Sequence, residues 1–518
     1  MRNRQQDTAP EERAAGWRPG TDDAPEERAA GWRLGKDDVI VGSSLALLLF
    51  SAYVLNASIF PVVAQVFPAG REISTYCGAA FSVVVAVAAY RRPAVLREGA
   101  WSLTCLTLFA LGVAVLGAGL ETQNALLVSL GSPFGGIGSV WFSVLVGLGL
   151  IQLGARRSMI VIPTAFVVKY AAQFGFTFAL AGGTLPLVAA LVLYFACLAT
   201  SYALIRSRVR GMIGVIRTSA SPTVLDATNP SSFLPFSSLV YVSIFLFNAA
   251  FGYVFGSQEQ ALSQAATLLS FLPVIAVFFV VVAARARLSA DVLYQASALL
   301  VFAGFLLAPL SLAGIDGPAD LHWSSLLLYA GSDCFSVLTY FLITAVGSRN
   351  PVGALSTSAF AFAASWLGIG CGALLVQGIQ AVGALDATAL LWVSAAVTFL
   401  FMAYNFLTMK RFSFEDAIRG VQSAHVAPAA PADEGAEGES RDALRLNQVC
   451  DQVIAQFGLT PREGDVLRLL ARGRTSPVIQ ETLVLSHNTV KTHVRHIYAK
   501  LGIHSQQELI DIVEGTER

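Results

Sequence analysis

From Val39 to Met409 the chain alternates long apolar runs with short polar breaks, and beyond Met409 the pattern gives way to apolar stripes at three- and four-residue spacing. A helix needs about 20 mainly apolar residues to cross a hydrocarbon core about 30 Å thick. Twelve such runs can be counted, starting near residues 39, 73, 101, 125, 159, 185, 236, 262, 291, 322, 352 and 388. Residues 124 to 154 form one long Gly-rich run in which a broken helix would go unseen, so the count is open by one pair. The pattern predicts an all-α fold, a twelve-helix transmembrane bundle at 39–409 followed by a small helical domain.

Charge then orients the bundle. Only 13% of the 518 residues are charged and 55% are hydrophobic, against about 25% charged in soluble domains. Alternate loops hold Arg91, Arg92 and Arg97, then Arg156 and Arg157, then Arg206, Arg208, Arg210 and Arg217, then Arg285 and Arg287, then Arg349, while the opposite set holds only Arg71. Retained positive charge marks the cytoplasmic side, so both termini are expected in the cytoplasm of a multi-pass protein in the cell's inner membrane, in contact with membrane lipid. Residues 1–38 carry no secretory signal. They hold a 15-residue tandem duplication, APEERAAGWRPGTDD then APEERAAGWRLGKDD, and are expected to be a disordered cytoplasmic tail. The six cysteines show no C-x-x-C spacing; neither disulfides, a metal site nor a cofactor is implied. No Walker loop or Ser/His/Asp spacing points to an enzyme.

The longest inner loop, 206–235, divides the spans six and six. Two six-helix halves joined by a cytoplasmic loop resemble the major facilitator superfamily. The resemblance is architectural, because residues 90–97, YRRPAVLR, keep only the positive charge of that family's G-x-x-x-D-R-x-G-R-R signature. Fold alone does not imply transport.

Two charged residues lie well inside apolar runs, Lys169 in the fifth and Asp333 in the tenth, each ten or eleven residues from its run's start. At 1.5 Å per residue that is about 16 Å, half the hydrocarbon core. A lone charge at that depth costs several kcal/mol, so such groups pair or face a wet cavity. Two readings stay open: a structural ion pair joining the halves, or a central site for an unknown small-molecule ligand. In the second, Gln173, Asn248 and Tyr340 would complete the polar lining, with Tyr170 and Trp366 as aromatic surface.

After Met409 the chain turns polar, and 410–440, rich in Ala, Pro, Gly and Glu from residue 422 on, is expected to be a flexible linker. The next helix carries Leu446, Val449, Cys450, Val453, Ile454 and Phe457 on one stripe, for packing on the helices after it or for dimerisation. Thr460, Pro461 and Glu463 form a capping box opening a helix that Gly473 ends. A short helix from about Ser476 to Leu483 comes next. Ser486 is the expected N-cap of a third helix with Val490, Val494, Ile497 and Leu501 inward. Its other face carries Lys491, Thr492, Arg495 and Lys500, and no acidic residue lies between Ser486 and Ile503. Such a basic helix after a short helix suits a DNA major groove.

Residues 459–513 resemble the LuxR-type helix-turn-helix, matching L-T-x-R-E-x-x-V-L, S-x-x-T-V-K-x-H and I-x-x-K-L-G. The resemblance covers about a tenth of the chain. It implies that the third helix enters the major groove with Lys491, Thr492 and Arg495 toward the bases. Asn488, Thr489, His493, Lys500 and the N-cap Ser486 are then backbone candidates. It also implies that the last helix, Ser505 to Val513, dimerises the domain on double-stranded promoter DNA. Two departures put phosphate contacts in doubt: Ser476–Gln480 replaces the usual Asn-Lys-Glu-Ile-Ala, and Gln506 stands where Arg is usual. Together these readings lead to the expectation of a membrane-anchored one-component transcription regulator with a helix-turn-helix domain at 441–518. The alternative is a secondary transporter with an appended regulatory domain.

Overall fold

The computed structural model describes residues 35–180, 185–218, 234, 238–256, 264–283, 289–312, 322–381, 387–409, 412–414, 417–418, 439–483 and 485–515. The duplicated tail through residue 34, most of the loop after Thr218 and most of the expected linker lie outside them. All regular elements among the described residues are helical. This is what the apolar runs demand, since in lipid every backbone group must bond within its own segment. The helices are α1 (Lys36–Val54), which runs through a π turn into α2 (Phe60–Val66), then α3 (Gly70–Arg91), α4 (Glu98–Glu121), α5 (Ala125–Leu180) and α6 (Leu187–Thr218). After Thr218 and the loop that follows it come α7 (Leu239–Gly256), α8 (Gln264–Phe278), α9 (Ala290–Leu312), α10 (Trp323–Arg349), α11 (Pro351–Ala381) and α12 (Ala387–Met409).

Eight helices among the described residues are long and apolar enough to cross a membrane, and three shorter apolar ones lie at Leu239–Tyr253, Leu269–Val281 and Ala395–Leu407. The chain is a multi-pass membrane protein. One of the eight is α5, 56 residues long, and it is not a single rod. Gly154 has φ 75° and ψ 162°, a conformation that glycine adopts without a Cβ penalty. Ser158 Oγ donates to the carbonyl of Leu150 at 3.1 Å. Eight residues along a straight helix are separated by about 12 Å, so the chain folds back at Gly154. The break lies at the end of the Gly-rich run, ahead of Arg156 and Arg157.

Helices from before and after the loop that follows Thr218 pack against each other, α3 on α11 and α5 on α10. Ser82 Oγ of α3 donates to the carbonyl of Ala359 of α11 at 2.7 Å. The α7–α11 contact is close enough that a Cβ on Gly372 would collide with the carbonyl of Ala249; small residues let helix backbones approach in this way. At the arginine-rich end of the bundle, Arg208 pairs with Asp37. Arg210 Nε lies 3.0 Å from Glu98, which also accepts from Tyr202 OH at 2.6 Å.

The chain does not leave α12 freely. Asp291, in the first turn of α9, accepts from Ser413 Oγ and from the backbone N–H of Phe414, both at 2.6 Å. The Phe414 ring is fully buried, 4.5 Å from that of Tyr294. Phe412, Ala417 and Ile418 pack on the same core. The first residues of the stretch expected as linker are therefore fastened to the first turn of α9.

The C-terminal domain comprises α13 (Glu439–Gln456), α14 (Pro461–Ala471), α15 (Ser476–Leu483), α16 (His487–Leu501) and α17 (Gln506–Gly515). Its buried side chains form a core separate from that of the membrane helices, with Val449, Cys450 and Val453 of α13 packed among those of α14, α16 and α17. The α13 stripe therefore packs within the domain. Thr460 and Glu463 make the reciprocal capping box, Ser486 Oγ caps α16 by accepting from the N–H of Thr489, and Gly502 ends α16 at φ 69°.

Candidate nucleic-acid interface and intramembrane site

The shape of the DNA candidate is set by the apolar spacing of α16. Val490, Val494, Ile497, Tyr498 and Leu501 are buried, which turns Asn488, Thr492 and Arg495 to solvent with Lys491 and His493 partly exposed at the sides. Residues 488, 492 and 495 lie on one face at helical spacing. Thr492 Oγ1 bonds back to the carbonyl of Asn488 at 2.8 Å. Ser486 and Thr489 share a hydroxyl contact of 2.7 Å at the start of the helix, where unsatisfied N–H groups favour an anion.

Lys500 is placed differently from its neighbours. Its Nζ donates to Glu463 Oε2 at 2.7 Å and to the carbonyl of Gly458 at 3.1 Å, so its ammonium is committed to holding α16 against the start of α14. His496 Nδ1 lies 3.6 Å from the other oxygen of Glu463. Burial opposes the charge on Glu463, but hydrogen bonds from Lys500 and from the backbone and hydroxyl of Thr460 outweigh it and bring the carboxyl down to about 2. Gln506, at the position of the usual arginine, donates to the carbonyl of Leu470 at 2.9 Å and so closes the end of α14.

In the membrane region, Lys169 and Asp333 do meet, with Nζ and Oδ2 3.7 Å apart. Tyr170 OH donates to the same Oδ2 at 2.7 Å. The ammonium sits 4.3 Å from the Tyr170 ring centre, and that ring is stacked on Phe271 of α8 at 3.9 Å. At about 100° per residue, Lys169 falls between Ala165 and Gln173 in the middle of the inward arc of α5. Its neighbours there are buried while its own side chain keeps 13% exposure. Helix α10 packs on α9, α5, α8, α11 and α7 and is buried along most of its length. Tyr329, Asp333 and Ser336, at helical spacing on one face, are partly exposed. Lys169 and Asp333 thus meet on the inward faces of two central helices, each with part of its side chain exposed.

The other expected residues divide. Gln173 is buried one turn beyond Lys169, and its Oε1 has no hydrogen-bond partner. Tyr340 continues the Asp333 face, between the rings of Phe166 and Phe362. Asn248 lies in another contact, with Nδ2 on the carbonyl of Ile244 at 2.8 Å and on Ser365 Oγ at 3.4 Å. Trp366 packs over Gly78, where an added Cβ would come 2.8 Å from its ring. Phe271, Tyr329 and Ser336 were not foreseen. The 4-3 spacing of Tyr329, Asp333 and Ser336 was in the sequence, but only an otherwise buried helix makes it conspicuous.

Residues 458–513 match the family described as bacterial regulatory proteins, luxR family. The C-terminal helices form a LuxR-type helix-turn-helix domain. The chain is 46% identical over 59 residues to the Fimbriae Z protein of Salmonella typhimurium, covering 11% of this chain and 28% of that protein. It is 47% identical over 73 residues to the Fimbriae Z protein of Escherichia coli (strain K12), covering 14% and 35%. A Mycobacterium tuberculosis (strain ATCC 25618 / H37Rv) protein, provisionally named as an HTH-type transcriptional regulator, is 47% identical over 53 residues, 10% of this chain and 6% of that one. The chain thus spans well under half the length of these curated relatives. Two solved structures resemble the larger part of the chain. FucP, a major facilitator superfamily transporter in the outward conformation, gives a TM-score of 0.43 at 15% identity over 71% of this chain and 98% of that one. The proton:xylose symporter XylE gives 0.47 at 10% identity over 74% and 97%. Scores of this size leave the membrane region to be read from its own side chains.

Proposed function

We propose that the chain is a membrane-anchored one-component transcription regulator. A twelve-span, major-facilitator-like body at 39–409 binds a small molecule, and the helix-turn-helix domain at 441–518 binds promoter DNA from the cytoplasmic face of the inner membrane, as a dimer through α17. Both termini are cytoplasmic. The observation that carries this reading is the outward face of α16, basic and free of acidic side chains, on a domain that packs around its own core. Lys491, Thr492 and Arg495 read base edges, and Ser486, Asn488, Thr489 and His493 meet the backbone, contacts that position without specifying. Lys500 braces the helix from within.

Residues 441–518 bound to DNA from the protein's own upstream region test this. The expected result is sequence-selective, salt-sensitive binding that Lys491→Ala and Arg495→Ala weaken while the domain stays folded. No binding at low salt contradicts it.

The path from body to head starts at the clamp of Asp291 on Ser413 and Phe414, which ties the exit of α12 to α9. A shift of α9 against α12 on ligand binding alters that tie and hence the reach or pairing of the two heads in a dimer. A second reading, a transporter with an appended regulator, draws on the same polar interior between helices of both halves. Uptake into vesicles separates them, because a sensor binds without accumulating its ligand.

A further inference from the structure

The hydrogen bonding of the Lys169–Asp333 pair specifies more than polarity. A charge-assisted N–H···O bond is about 2.7–2.9 Å long, and the ammonium lies 3.7 Å from Asp333 Oδ2. The short bond to that oxygen comes from Tyr170 OH, at 2.7 Å. Lys169 is held by attraction and by the face of the Tyr170 ring, leaving its three donors without a short bond to Asp333. Asp333 is partly exposed as well, and both its ion pair and its bond from Tyr170 are made through Oδ2. A slightly opened ion pair, partly exposed, presents one positive and one negative end.

We infer that this site takes a small zwitterion of the amino acid class, its carboxylate on Lys169 and its ammonium on Asp333 Oδ1. The inference rests on the reading of the bundle interior as a ligand site. Charge balance excludes a singly charged ligand, and the separated positive and negative ends of the pair favour a zwitterion over a neutral molecule. An anion alone leaves one negative charge in excess and a cation alone one positive, and an uncompensated charge inside a membrane protein costs several kcal/mol. A zwitterion inserted into the pair gives every charge an opposite neighbour and leaves the total at zero. Gln173 adds a second observation. Its side chain is nine-tenths buried on the inward arc one turn from Lys169, and its Oε1 is unpartnered. A ligand N–H on that oxygen removes the desolvation cost of a lone buried acceptor. The stacked rings of Tyr170 and Phe271 form an apolar wall beside the pair, where a side chain of the ligand would lie.

The full-length protein in nanodiscs, heated in the presence of each proteinogenic amino acid at millimolar concentration, tests the inference. At least one is expected to raise the Tm, and its amide (a cation) and its N-acetyl derivative (an anion) are expected to bind at least tenfold more weakly. Lys169→Met and Asp333→Asn should each weaken binding at least tenfold. Because either single change leaves one charge unpaired, the double variant Lys169→Met/Asp333→Asn serves as the charge-balanced control, expected to elute as wild type on size exclusion and to bind no amino acid. No shift with any amino acid overturns the inference, as do equal binding of the amide or N-acetyl form and undiminished binding by the double variant. A promoter reporter separates this from the regulator reading. Amino acid binding without a transcriptional response removes the sensor and leaves the ligand class; a response to a compound bearing a single charge does the reverse.

Discussion

Two lysine–carboxylate pairs among the described residues differ in how completely they are bonded. In the head, Lys500 reaches Glu463 at 2.7 Å, and the same carboxyl receives the backbone N–H of Thr460 at 2.8 Å. In the membrane body, Lys169 stays 3.7 Å from Asp333, whose short bond comes from Tyr170. The head pair is closed, satisfied by protein alone, and joins α16 to the start of α14. The body pair is open, and both of its side chains stay partly exposed. A lysine and a carboxylate thus serve as a brace in one region and as a receiving site in the other, and what separates them is how fully each charged group is bonded.

The largest expected effect breaks the brace. Glu463→Ala leaves the N–H of Thr460 without its acceptor and Lys500 with the carbonyl of Gly458 but no charge partner, and should destabilise residues 441–518 by about 2–4 kcal/mol, from the loss of a cap and of a nearly buried charge partner; urea unfolding of that segment measures it. Next is the contrast between two cations of α16. Arg495→Ala should reduce discrimination between operator and scrambled DNA by about 1–3 kcal/mol with unfolding unchanged, whereas Lys500→Ala should lower the unfolding midpoint and leave the salt slope of DNA binding unaltered. If Lys500→Ala instead flattens the salt slope at unchanged stability, the brace is the wrong reading.

A smaller effect concerns the clamp. Asp291→Ala removes the acceptor of Ser413 Oγ and of Phe414 N–H, each bond to a charged acceptor worth about 1.5–3 kcal/mol. Ligand-dependent reporter output should fall several-fold while the DNA affinity of the head is unaffected. Wild-type reporter output from that variant would show that α9 does not carry the signal. The smallest effect is with pH. The carboxyl of Glu463 is held below its unfolded value, about 4.3, so the stability it contributes is full above that pH and is lost as pH falls toward about 2. The head should unfold more easily across that window, and Glu463→Gln should flatten the dependence, as followed by circular dichroism.

Much of the head was legible because its signals are local. Thr460 and Glu463 are three residues apart, Ser486 precedes a helix with regular apolar spacing, and Gly502 comes directly after its last inward leucine; each is a matter of the geometry of one or two turns. The membrane runs were legible for the same reason, and the cost of charge in lipid picked out Lys169 and Asp333. Contacts between distant segments were not. Lys500 looked like one more cation on a basic face, since its partner Glu463 lies 37 positions earlier. Tyr170, 163 positions from Asp333, was anticipated as aromatic surface and acts as a hydrogen-bond donor. Asn248 had the right depth and bonds to Ser365, because depth along a span does not specify which way a side chain faces. The packing of Phe414 on Tyr294 was hidden by a polar flank that read as linker.

The central claim, that the membrane body governs the head, is tested most directly by reporter transcription in cells carrying the full chain, the full chain with Lys169→Met/Asp333→Asn, or residues 441–518 alone, over a titration of amino acids in the medium. The full chain is expected to respond, the double variant to give a fixed output at equal membrane abundance, and the free head to give a fixed output as well. A ligand response that persists in the free head would contradict the claim.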